Sequence, residues 1–224
     1  MKNKIIVKYE DILNNEEIKT YISKADLSLE SMGFTDHAFE HVKKCAETVK
    51  NILSSFDYSS REINLGQIAA YMHDIGNVVN RHYHAQTGAV MAFRILDNLG
   101  MSSEDIATIV NAIGNHDEKD GYPVNAVTAA LILADKTDVR RSRVRPINNM
   151  ETDIHDRVNY AVQENALKID KKKRTLTLKL TLDTNITPIM DYFEIFLDRM
   201  RMCVKAAKTL NLTFKLIINN QTLI

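Results

Sequence analysis

Apolar residues recur at spacings of three and four in segments near 36–54, 62–76, 84–99, 103–117, 124–140 and 153–165, which predicts six amphipathic helices. A shorter segment near 10–23 carries the same repeat and predicts an earlier helix. The period changes at Arg174, beyond which Leu176, Leu178, Leu180 and Leu182 alternate with Thr and Lys. Alternation of that kind marks a strand buried on one face. Pro188 stands at a favoured helix start, the stretch to Leu210 is amphipathic, and Phe214 to Ile218 form a second apolar strand. The tail reads as strand–helix–strand, with Ile5-Ile6-Val7 as a candidate third strand. The expected fold class is mainly α, a helical bundle over residues 1–165 followed by a small α/β extension over 166–224.

Composition narrows the function classes. With 7 glycines and 3 prolines in 224 residues, breakers are too few for a loop-rich or all-β protein. The 29 basic and 29 acidic residues cancel, so the positive excess that neutralises phosphates along a duplex is missing. Polymeric nucleic acid is not expected as a partner. The run Lys171-Lys172-Lys173-Arg174 reads as a solvated turn leading into the strand. Cys45 and Cys203 each sit inside a helical repeat and read as core residues of a protein from a reducing compartment. The N-terminal apolar residues give way to Lys8, and no apolar run reaches the roughly 18–20 residues that span a bilayer. The expectation is a cytoplasmic protein without a membrane partner.

Six of the seven histidines lie between positions 37 and 116. His73-Asp74 follows the apolar helix segment Ile68-Ala69-Ala70-Tyr71-Met72 and precedes Gly76. A neutral imidazole and a carboxylate at one helix end can share a divalent ion, because borderline and hard ions accept mixed nitrogen and oxygen donors. Upstream, His41 opens a helix with apolar Val42, Cys45, Val49 and Ile52; downstream, Leu131-Ile132-Leu133-Ala134 runs into Asp135.

On these residues the sequence resembles the HD-domain phosphohydrolases over about residues 34–145, most closely at Tyr71-Met72-His73-Asp74-Ile75-Gly76. The resemblance implies that His41, His73, Asp74 and Asp135 hold a metal. The segments His84-Ala85-Gln86-Thr87-Gly88-Ala89 and Ile113-Gly114-Asn115-His116 resemble those that supply a second metal in binuclear members. Asp74 would then bridge, with His84 and His116 on the second ion, and Asp74 and His116 would be the catalytic residues. The cofactor expected is a pair of divalent ions of open identity, with Fe, Mn, Zn, Co, Ni and Mg all admissible. His37 and His82 are off the ligand register and are assigned supporting or surface roles.

The resemblance also has departures. Asn77 stands where many members carry a lysine that meets phosphate. Arg140, Arg141, Arg143 and Arg145 are the expected substitutes, since guanidinium forks match phosphate oxygens. His116-Asp117-Glu118-Lys119-Asp120-Gly121-Tyr122-Pro123 is similar to the stretch that names the HD-GYP cyclic-dinucleotide phosphodiesterases, but Asn115 replaces one expected histidine and the spacer is shorter. The helix ending Ala134-Asp135-Lys136 is similar to that of diadenosine-polyphosphate hydrolases. His155-Asp156 lacks partners at ligand spacing and reads as a surface pair.

The implied activity is hydrolysis of a phosphoester or phosphoanhydride by metal-activated hydroxide. The expected partner is a small phosphorylated substrate such as a nucleotide, with a homodimer as an open assembly state. A non-catalytic nucleotide sensor and a di-iron oxygenase are the alternatives. All four central ligand positions are intact, which favours catalysis over a degenerate sensor.

Overall fold

The computed structural model describes residues 5–36, 38–145 and 154–224. Among these residues eight helices precede the sheet: α1 (Tyr9–Leu13), α2 (Glu16–Ser31), α3 (Phe39–Ser55), α4 (Ser60–Met72), α5 (His84–Asn98), α6 (Ser103–Gly114), α7 (Ala126–Lys136) and α8 (Ile154–Ala161). Side-chain caps fix several starts. Ser59 forms a capping box with Glu62, Ser102 accepts from Asp105 N, and Asn125 accepts from Thr128 N, each satisfying a first-turn amide that the helix cannot. The segment expected as one helix near 10–23 is two, because Asn15 caps α2 by accepting from Ile18 N.

The sheet has the order β1 (Val162–Asp170), β2 (Thr175–Leu182), β3 (Thr213–Ile218), β4 (Gln221–Thr222). β1 and β2 pair antiparallel, β2 and β3 parallel, and β3 and β4 antiparallel. Parallel neighbours need a crossover, which α9 (Ile189–Thr209) supplies. The four alternating leucines of β2 are all buried. The boundary expected between residues 165 and 166 falls within β1.

Two expectations change and one strand is added. The helix expected over 153–165 ends at Ala161, because residues from Val162 onward pair with β2 from Leu182 to Thr175. That pairing overrides the helix preference of Gln163, Glu164, Ala166, Leu167 and Lys168. Ile5-Ile6-Val7 is not a strand; the Ile5 amide donates to the Gly100 carbonyl at 3.1 Å and Val7 is buried. β4 was not expected, and Asn219 and Asn220, both at positive φ (49° and 64°), make the two-residue turn into it.

The bundle is organised on α7, whose residues Val127–Lys136 are all buried. It packs against α3, α4, α6 and, from the tail, α9. Two helices end earlier than their periodicity suggests, α6 at Gly114 and α7 at Lys136. His116 and Asp138 are thereby freed from helical geometry. After α4 a 3-10 turn (Ile75–Val78) bends the chain, and His73 and Asp74 sit at that junction. No helix among the described residues is long and apolar enough to cross a membrane.

Candidate metal centre

Helix ends bring the six expected ligands together. His41 comes from the first turn of α3, His73 and Asp74 from the end of α4, His84 from the start of α5, His116 from just beyond α6, and Asp135 from the last turn of α7. All six are buried, none more than 8% exposed. Gly76 makes this convergence sterically possible. A Cβ there would fall inside the contact distance of the His84 carbonyl and within 2.5 Å of Gly88 N, so the turn after Asp74 lies directly on the first turns of α5.

Distances divide the donors into two sets around one carboxylate. Asp74 Oδ2 lies 3.2 Å from His73 Nε2 and 3.9 Å from His41 Nε2; Asp135 Oδ1 is 3.4 Å and 3.8 Å from the same two nitrogens of His41 and His73. The other oxygen, Oδ1, is 3.6 Å from His84 Nε2 and 3.9 Å from His116 Nε2. Donors about 2.1 Å from one tetrahedral ion lie about 3.4 Å apart, so both sets have the spacing of a shared cation.

Ring orientation points the same way. His73 Nδ1–H donates to the Ala70 carbonyl at 2.7 Å, His116 Nδ1–H to the Ile113 carbonyl at 2.6 Å, and His84 Nδ1–H to the Arg81 carbonyl at 3.1 Å. A carbonyl can only accept, so in each neutral ring the lone pair sits on Nε2, facing the cluster. His41 Nδ1 is held by the Asp138 carboxylate at 2.8 Å. His73 Nε2 is buried with no hydrogen-bond partner among the described residues. His84 Nε2 and His116 Nε2 face each other at 3.2 Å, two lone pairs that repel unless a cation lies beside them. This nitrogen and oxygen donor set fits divalent ions of the borderline type.

Electrostatics favour the ligating form of His116, His84 and Asp135. Burial, reinforced by the neighbouring His73 and His84, pushes His116 well below the ordinary histidine value of 6.5, and burial also lowers His84. Burial would lower His73 as well, but Asp74 and Asp135 outweigh it and raise the ring. Burial would raise Asp135, yet Lys136 with His41 and His73 holds it well below the usual carboxylate range. Lys136 Nζ lies 2.7 Å from Asp135 Oδ2 and 2.7 Å from Glu118 Oε2, and Glu118 Oε1 lies 3.1 Å from Arg199 Nε of α9. This alternating chain leaves Asp135 Oδ1 for the centre.

Sequence reasoning alone does not find these supporting residues. Lys136 and Asp138 adjoin Asp135, which is the only local signal; nothing near Arg199 marks it. Asn77, the departure noted above, has its amide nitrogen 2.9 Å from Asp74 Oδ1 and 2.9 Å from the Asp74 carbonyl. It therefore orients the central carboxylate.

A cleft of about 420 Å³ opens beside the cluster, lined by Arg81 and His82 before His84, Asp117 to Lys119 after His116, Arg143, His155 and Asp156, and Phe196 and Arg199 of α9. The four arginines expected to hold phosphate are engaged with protein. Arg140 pairs with Asp138 and Glu40, Arg141 donates to the Tyr160 carbonyl, Arg143 to the carbonyls of Asp36 and Asp138, and Arg145 pairs with Asp26. Of these only Arg143 lines this cleft. His155 is exposed but Asp156 is buried, so that pair is not simply a surface one. His82 is exposed on the cleft wall, and His37 lies outside the described residues.

The profile of the HD domain family matches residues 38–178. An uncharacterized protein of Methanocaldococcus jannaschii is 25% identical, covering 82% of this chain and 80% of that protein. A crystal structure described as a predicted HD superfamily hydrolase, from an uncultured Thermotogales bacterium, aligns with a TM-score of 0.45 at 23% identity, over 55% of this chain and 67% of the other. The family match runs from α3 into β2 and includes every one of the six converging residues, well over half of the chain: the protein belongs to the HD domain family.

Proposed function

We propose that the protein is a metal-dependent phosphohydrolase that cleaves a phosphoester or phosphoanhydride bond of a nucleotide or a similar small phosphorylated molecule. The observation that carries this reading is the division of donors across Asp74, whose two oxygens face two separate groups of imidazoles. His41, His73 and Asp135 would hold one ion with Asp74 Oδ2, and His84 and His116 a second with Oδ1. When bound, divalent ions supply Lewis acidity toward phosphoryl oxygens and lower the pKa of water. The chain itself fixes the rings by their Nδ1 anchors, keeps Asp135 ionised through Lys136, and offers a cleft within the roughly 300–1,000 Å³ of small-molecule sites. Arg81 and Lys119 on that wall, neither paired with a carboxylate among the described residues, favour an anion.

The test is chelation followed by reconstitution with Mn, Fe, Co, Ni, Zn or Mg, assayed on a chromogenic phosphodiester, nucleotides, a diadenosine polyphosphate and a cyclic dinucleotide. Hydrolysis should vanish on chelation and return with at least one ion. No turnover of any substrate with any ion would overturn the reading, and oxygen consumption by the iron-loaded protein would favour the oxygenase alternative. A second measurement addresses stoichiometry. His84→Ala or His116→Ala should lower bound metal from about two ions per chain to about one with the fold intact, because the other donor set remains. Unchanged metal content in both variants would remove the two-ion reading.

A further inference from the structure

The cleft's arginines differ in what they already hold. Arg199 is paired with Glu118, and Arg143 spends its guanidinium on two backbone carbonyls. Arg81 has no carboxylate partner among the described residues; its Nη1 donates to the neutral Oδ1 of Asn77 at 3.2 Å, and its guanidinium lies 5.6 Å from the centre of the Phe34 ring. A half-buried guanidinium without a counter-charge favours an anionic ligand.

Its placement is determined by the cluster. Asn77 is buried and gives its amide nitrogen to Asp74. The amide oxygen, its one remaining acceptor, is thereby turned toward Arg81. The Arg81 carbonyl meanwhile accepts from His84 Nδ1. The residue is thus fixed at its backbone by one expected ligand and at its side chain through another, with the guanidinium on the cleft wall.

We propose that Arg81 is the anion contact of this site, that Asn77 is the positioning residue that sets it, and that the anion is a phosphoryl group lying on the His84–His116 side of Asp74. This rests on the phosphohydrolase reading. A planar fork can take two phosphoryl oxygens at once, which a lysine cannot.

The experiment uses manganese-loaded full-length protein, a chromogenic phosphodiester as substrate and inorganic phosphate as competitor. Arg81→Met should raise both KM and the phosphate inhibition constant roughly 10- to 100-fold, the range for losing a hydrogen bond to a charged group, with bound metal unchanged. Arg81→Lys keeps the charge but not the fork and should recover part of that loss, which also guards against a folding defect in the first variant. Asn77→Ala should weaken phosphate inhibition in the wild-type background and weaken it little further in Arg81→Met, the non-additivity of residues acting as a unit. Additive losses would remove the positioning role of Asn77. Wild-type KM and phosphate inhibition in Arg81→Met would overturn the Arg81 assignment alone. If wild-type protein neither turns over substrate nor binds phosphate, the phosphohydrolase reading fails first.

Discussion

Asp74→Asn is expected to abolish hydrolysis and strip most of the metal while leaving the fold in place. The amide has nearly the same shape as the carboxylate but no charge, and Asp74 is the one residue with an oxygen on each side of the cluster. On the proposed two-ion reading the cations would lose their shared anion in a buried site, where an uncompensated charge costs roughly 3–5 kcal/mol. Metal affinity should therefore fall by about two to three orders of magnitude or more, and turnover with it. The local geometry adds a second penalty. Asn77 already donates its amide nitrogen to Asp74 Oδ1, so the introduced amide must keep its oxygen on that side and turn its NH2 toward His41 and His73. Metal content by elemental analysis after desalting, read beside turnover and circular dichroism, decides the matter. Full metal occupancy with near wild-type turnover would show that Asp74 is not a ligand.

The second large effect is structural. Gly76→Ala should destabilise the protein by about 3 kcal/mol, the upper end of the range for overpacking. Its new methyl would collide with backbone atoms, the His84 carbonyl and Gly88 N, and backbone cannot rotate away as a side-chain tip can. Relief requires α5 to shift outward, which carries His84 with it and lowers metal content as well as the melting temperature. Gly114→Ala is the matching control. Its Cβ would meet only Ala89 Cβ, at an ordinary 3.6 Å, and should be neutral or slightly stabilising at that helix end. Equal melting temperatures for the two variants would refute the close-approach explanation.

Much of this architecture was legible because it is written locally. Seven of the helices follow from three-and-four periodicity, and the buried leucines of β2 from strict alternation. β1 was not legible, since Gln163-Glu164-Asn165-Ala166-Leu167-Lys168 carries helix-favouring residues and becomes a strand only through pairing with β2. The site divides along the same line. The six clustered residues lie in recognisable stretches, and the structure brings them within a few ångströms of one another. Which cleft arginine lacks a carboxylate partner among the described residues was not legible. Arg140 is neutralised by Glu40 and Asp138, and Arg145 by Asp26, acids whose proximity is a product of the fold.

The crossover through α9 bears on the order of events during synthesis. Every clustered residue is encoded by position 135, whereas Phe196 and Arg199 of the cleft belong to the helix between the parallel strands. A chain leaves the ribosome N-terminus first. While α9 is still inside the exit tunnel, the emerged part already holds the full donor set, but α7 lacks the helix that covers it. Metal capture on a nascent chain would then precede the finished cleft, and the apolar α7 face that α9 covers stays open until α9 emerges.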